Sequence, residues 1–174
     1  MLTVRTEILN PVIKVKYHVP GMPDIKQAHE GEWYDLYTAE RVVMHPGDFR
    51  IIPLGVSIEL PEGYEAIVAP RSSTFRRYGV INPGSIGVID HAYKGDNDIW
   101  QFPAYCLQPP GVKSWSLMRR ILWYITGKKA TCDIPQFTRI CQFRILRQQP
   151  DCEIQRVEQL GNPDRGGIGS TGRR

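Results

Sequence analysis

Pro70–Gly95 reads PRSSTFRRYGVINPGSIGVIDHAYKG, and the rest of the chain is understood outward from it. Arg71-Ser72-Ser73 is a cluster of donors suited to an anion. Asn82-Pro83-Gly84-Ser85 has Pro at the second turn position and Gly at the third, the signature of a type II turn. Val88-Ile89-Asp90 is a short apolar run that ends in one carboxylate, and Tyr93 returns a ring to the same side. An anion cradle, an exposed turn, an acid and an aromatic face together suit a nucleotide.

The surroundings are β-like. The 174 residues fit one domain, and 14 Pro with 16 Gly imply many turns. Ile13, Val15, Tyr17 and Val19 alternate with polar residues, as do Val56, Ile58 and Leu60, which predicts half-buried strands. His45-Pro46-Gly47-Asp48, Pro61-Glu62-Gly63 and Gly95-Asp96-Asn97-Asp98 read as turns. Tyr64–Ala69 and Ile99–Tyr105 read as strands, the second with Trp100 and Phe102 on one face. Short strands between regular turn signals suggest a β sandwich or barrel. Trp33-Tyr34-Asp35-Leu36-Tyr37 places an acid inside an apolar strand. Burying an unpaired carboxylate is costly, so Asp35 is either solvated at a strand end or functional.

The net charge of +4 does not describe a basic protein surface. Lys113, Arg119, Arg120, Lys128 and Lys129 put +5 into residues 113–129, so the remainder carries 4 − 5 = −1. Nucleic-acid binding by the main body is therefore not supported. No stretch has the roughly 20 apolar residues of a membrane span, and MLTVRTEILN lacks a secretory pattern. Cys106, Cys132, Cys141 and Cys152 form no Cys-x-x-Cys pair, which fits reduced thiols in a cytoplasmic protein. Within residues 106–135, Trp115, Met118, Leu122 and Ile125 recur at helical spacing. The stripe either packs on the barrel, leaving Arg119 and Arg120 free, or serves a partner or a membrane surface.

Pro70-Arg71-Ser72-Ser73 and Gly87-Val88-Ile89-Asp90-His91-Ala92-Tyr93-Lys94-Gly95 resemble the second and third motifs of the trimeric dUTPase family, particularly the forms of Gram-positive bacteria and their phages. Tyr34-Asp35-Leu36 resembles the first motif, with Trp33 in place of Gly. Arg139-Ile140-Cys141-Gln142 resembles the fourth, with Phe137-Thr138 in place of Gly-Asp. Residues 165–172 resemble the Gly-rich fifth motif. The resemblance implies an all-β, jelly-roll-like barrel over 1–160 with a short helical insertion at about 106–135, and a C-terminal lid arm over 161–174. It implies a homotrimer with three sites, each built from more than one chain, that hydrolyses dUTP to dUMP and pyrophosphate with magnesium (Mg2+).

By the same resemblance, Asp90 is the general base and Asp35 holds the metal, generally through water. Arg71, Ser72, Ser73 and Gln142 bind phosphates. Gly84, Ser85, Gly87 and Val88 present main-chain groups to uracil, and Tyr93 lies against the deoxyribose. Arg165, Ile168, Gly169 and Ser170 belong to the arm. Ala92 stands where a second acid is common, and Ile168 stands where the lid usually carries Phe, so no ring from the arm stacks on the base. A same-fold alternative is a dCTP deaminase; another is a regulatory binding module using the insertion. The intact Asp90 and the Gly-Ser-Thr-Gly lid favour hydrolysis.

Overall fold

A computed structural model of the chain describes residues 11–27, 31–107, 116–118, 121, 131–148, 154 and 156. The strands are β1 (Lys14–Tyr17), β2 (Tyr34–Tyr37), β3 (Val42–Met44), β4 (Phe49–Glu59), β5 (Tyr64–Pro70), β6 (Val80–Ile81), β7 (Gly87–Ile89), β8 (Ile99–Cys106), β9 (Cys132–Ile134) and β10 (Arg139–Arg147). A short helix, α1 (Ser72–Tyr78), separates β5 from β6. One sheet has the order β1-β4-β8-β6, a second β2-β10-β5-β7, and β3 pairs with β9. The all-β, jelly-roll-like architecture expected from the sequence is present as facing sheets with crossed connections.

Alternation decides what lies between the sheets. On β8, Trp100, Phe102, Ala104 and Cys106 are fully buried while Gln101 is exposed. On β10, Cys141 and Phe143 point inward. Phe143 meets Trp100 edge-on at 5.2 Å and stacks on Tyr34 at 5.3 Å. Burying each such large apolar side chain stabilises the fold by about 1.5–3 kcal/mol.

Several local readings change. The Asn82–Ser85 turn closes with Ser85 N–H donating to the Asn82 carbonyl (3.1 Å). It is not type II, because the left-handed residue is Ser85 (φ 68) rather than Gly84. The Asn82 side chain is the reason: its Oδ1 accepts from Gly84 N–H at 2.9 Å and holds the turn in another geometry. Phe137 is also left-handed (φ 60), at the place where the family pattern has Gly.

The helix α1 opens on the donor cluster of Ser72 and Ser73. It ends on Gly79, whose left-handed φ of 65 lets its N–H reach the Phe75 carbonyl at 2.7 Å. Strand residues occupy both ends of the range read as an insertion, Cys106 closing β8 and Cys132 opening β9. Between them, Leu117, Met118 and Ile121 are helical and exposed. Of the apolar stripe, only Met118 lies within the described residues, and it is 76% exposed. The arm from residue 161 onward lies outside the described residues.

Gly55 interrupts β4 where its register against β8 shifts, between Pro53 and Ser57. Its φ is +65, and a Cβ there would sit 3.0 Å from Met22 Sδ and 3.1 Å from Ala39 Cβ. Gly55→Ala is therefore expected to lose about 1–3 kcal/mol, from left-handed strain and crowding together. Urea unfolding reads this as a lower midpoint at unchanged slope.

Candidate active site

Asp35 explains itself once its strand is paired. Tyr34 and Leu36 lie opposite Phe143 and Cys141 and point into the core. Asp35 pairs with Gln142 and therefore points to the other face of the sheet. It is nonetheless only 3% exposed. Its Oδ1 is ion-paired with Arg71, and its Oδ2 lies 3.4 Å from Arg139 Nη1.

The backbone arranges that meeting. The β10–β2 register shifts between Arg139 and Cys141, a bulge at Ile140. Bulges re-aim side chains, and this one turns Arg139 toward Asp35. The Ile140 carbonyl accepts from Arg71 N–H at 3.2 Å and from the buried Thr74 hydroxyl at 2.5 Å. The chain leaving β5 is thereby tied to β10 by main chain at Arg71 and by side chain at Thr74. Ser72 and Ser73 follow at the start of α1, and Gln142 lies across from Ala69. Burial, and then the positive charges of Arg139 and Arg77, push the Arg71 guanidinium below its ordinary value. Arg71 and Arg139 against the single charge of Asp35, with Arg77 acting on Arg71, leave a local excess of positive charge, which suits an anion of high charge such as a polyphosphate. Arg139 entered the sequence reading only as a motif match. Its place beside Asp35 depends on the bulge, which no local pattern announces.

A second locus lies on β7 and the loop after it. A cleft of about 260 Å³ is lined by Asn82, Gly87, Val88, Tyr93, Trp100 and Gln101, among others. Val88 is 62% exposed, and Gly84 and Ser85 stand exposed at the turn. The Tyr93 hydroxyl donates to the Ile99 carbonyl at 3.3 Å, which fixes the direction of its ring. Asp90 is exposed at the end of β7, and its Oδ1 accepts from Ala92 N–H at 2.8 Å. That bond orients the carboxylate and leaves the second oxygen available to a solvent molecule.

The structure does not bring these two loci together within one chain. β7 runs antiparallel to β5 with Gly87 opposite Val68 and Ile89 opposite Ala66. Asp90 therefore falls level with Glu65, at the far end of β5 from Arg71, a separation of roughly 20 Å at the usual rise per strand residue. Within one chain the residues of Pro70–Gly95 thus form two half-sites rather than one cradle, the arrangement that a site built from more than one chain requires. The reason is that β7 folds back along β5 and carries the acid away from the arginine. Arg165, Ile168, Gly169 and Ser170 lie outside the described residues.

The donor set bears on a metal. Among the described residues no group of three or more His, Cys, Asp or Glu side chains converges on a common point. Each oxygen of Asp35 already faces a guanidinium. A protein-only cage is not built here. The residues fit a hydrated magnesium carried on substrate phosphates, because each carboxylate oxygen keeps a lone pair for a metal-bound water.

A sequence model of the dUTPase family matches residues 24–103. The chain is 45% identical over 160 residues to the SPbeta prophage-derived deoxyuridine 5'-triphosphate nucleotidohydrolase YosS of Bacillus subtilis (strain 168), across 92% of this chain and 97% of that protein. The Staphylococcus bacteriophage 80alpha dUTPase with dUPNHPP shares the fold at a TM-score of 0.68 and 21% identity, covering 93% of this chain and 99% of that one. A mutant dUTPase from phage phi11 of S. aureus, in which the coordination of a structural Mg(II) ion is seen, matches at a TM-score of 0.63 and 18% identity over 86% and 98% of the two chains. The chain belongs to the dUTPase family. Among the described residues no helix is long and apolar enough to cross a membrane.

Proposed function

We propose that this protein is a dUTP diphosphatase: water attacks the α-phosphorus of dUTP, the bond to the bridging oxygen of the β-phosphate breaks, and dUMP and pyrophosphate leave. The full-length likeness to a prophage nucleotidohydrolase carries this reading. Asp90 orients the water through its free oxygen and takes its proton, and a positioned base of this kind contributes about 10²–10⁴-fold. Arg71, Ser72, Ser73 and Gln142 hold the phosphates. Tyr93, fixed through Ile99, lies where a ribose 2′-hydroxyl would clash. The main chain from Gly84 to Val88 faces uracil, and the arm closes with Arg165, Ile168, Gly169 and Ser170. Asp35 would hold a magnesium ion by way of its water shell, and the ion would supply neutralisation of phosphate charge.

The homotrimer comes from the family likeness, and the split site supports it, since a second copy supplies the missing half. The exposed apolar residues Val43, Phe49 and Ile51 offer surface for such contacts. A protein partner at the insertion is supported by the exposed Leu117, Met118 and Ile121. The cytoplasmic reading rests on cysteine spacing alone.

Pyrophosphate release from dUTP, dCTP and dTTP at equal concentration tests the reading. The expected result is turnover of dUTP at least about 10²-fold above the others, as for sites that reject by unpaired polar groups. Ammonia release from dCTP, without dUTP hydrolysis, would replace the diphosphatase with a deaminase.

A further inference from the structure

We propose that Asp35 is the positioning residue of the phosphate arginine: its buried carboxylate aims Arg71, with Arg139 on its other oxygen, before any nucleotide or metal arrives. The proposal rests on the triphosphate reading of this half-site and changes what Asp35 does there. A carboxylate whose task was only to meet a metal-bound water would be expected to face solvent. This one is 3% exposed on the outer face of the sheet, with both oxygens turned to guanidiniums.

Arg71 is a long side chain with costly rotamer freedom, so holding it in place ahead of binding removes that entropy from the binding step. The hold is double. The Ile140 carbonyl fixes the Arg71 main chain at 3.2 Å, and Asp35 fixes the guanidinium. The fork has five donors, so Asp35 leaves further N–H groups for a phosphate.

Electrostatics alone give the opposite sign. Removing a negative charge from beside Arg71 and Arg139 raises the local potential and should tighten an anion. Loss of affinity on removing Asp35, with no metal present, therefore reports positioning.

The experiment is calorimetric titration of dUPNHPP into the full chain in excess EDTA, with wild type, Asp35→Asn, Arg71→Lys and the double variant. The expected result is that Asp35→Asn weakens binding about tenfold in EDTA, Arg71→Lys by a similar factor, and the double variant no further, since the two act as one unit. Affinity of Asp35→Asn equal to or tighter than wild type in EDTA, with loss confined to magnesium buffer, would overturn the proposal and leave Asp35 a metal residue. If wild type neither binds dUPNHPP in either buffer nor hydrolyses dUTP, it is the triphosphate reading that fails instead. Because a half-buried arginine left without its acid can destabilise the chain, a second measurement uses wild type alone. Nitrogen-15 NMR of the ligand-free protein should show restricted rotation of the Arg71 guanidinium, and free rotation would equally overturn the proposal.

Discussion

Asp90→Asn is expected to lower kcat for dUTP by about 10²-fold or more while KM stays within a factor of a few, because the amide keeps the shape and loses the base. The geometry makes this substitution clean. Asp90 is exposed, and its one described side-chain hydrogen bond is accepted from Ala92 N–H. An Asn side-chain oxygen accepts that bond equally well, so the loop from Asp90 to Tyr93 should hold. Stability should change by no more than about 0.5 kcal/mol, as at other surface positions. Single-turnover kinetics separate the chemical step from binding. Turnover within a few-fold of wild type would remove Asp90 from the role of base.

Much of this arrangement was legible in the residues, for reasons that differ from place to place. The strand at β8 showed itself because Trp100 and Phe102 fall two residues apart, on one face, with the polar Gln101 between them. Period-two burial is a local property, and sequence records it directly. The turn at His45–Asp48 was equally local, and Asp48 Oδ2 accepts from His45 N–H at 2.8 Å. The helix α1 carried its signals too: Gly79 at its end and Arg76-Arg77 in its last turn. It is too short to show a helical period. The type II turn failed because Pro-Gly describes main-chain preference and leaves out what the Asn82 side chain does.

The site was legible as residues and illegible as a place. Arg71 and Asp90 are close in sequence, and that nearness suggested one cradle. The β5–β7 pairing sends them to opposite ends of a ladder, a tertiary fact that spacing does not encode. Asp35 stood out as an acid in an apolar run, which was a correct signal of something unusual. That it lies between Arg71 and Arg139 depends on strand order and on the bulge at Ile140. The range expected as an insertion, at about 106–135, is legible mainly as composition.

The second large effect concerns the split site. Arg71→Gln removes the charge from the phosphate half while leaving a donor for Asp35, and it is expected to lower kcat/KM by about 10²-fold or more. The Asp90→Asn chain is expected to be similarly weak for a different reason. If each working site joins Arg71 of one copy to Asp90 of another, the two defects need not fall in the same site. Mixed assemblies of the two variants, co-expressed in equal amounts, then contain sites with both residues intact. Random closed assembly gives about one quarter of the sites in that state. The measurement is dUTP turnover of the purified mixed oligomer against each variant alone. Recovery toward a quarter of wild-type kcat is the predicted result. Activity no greater than the mean of the two variants would mean that both groups act within a single chain, and would contradict the account of two half-sites completed by a second copy.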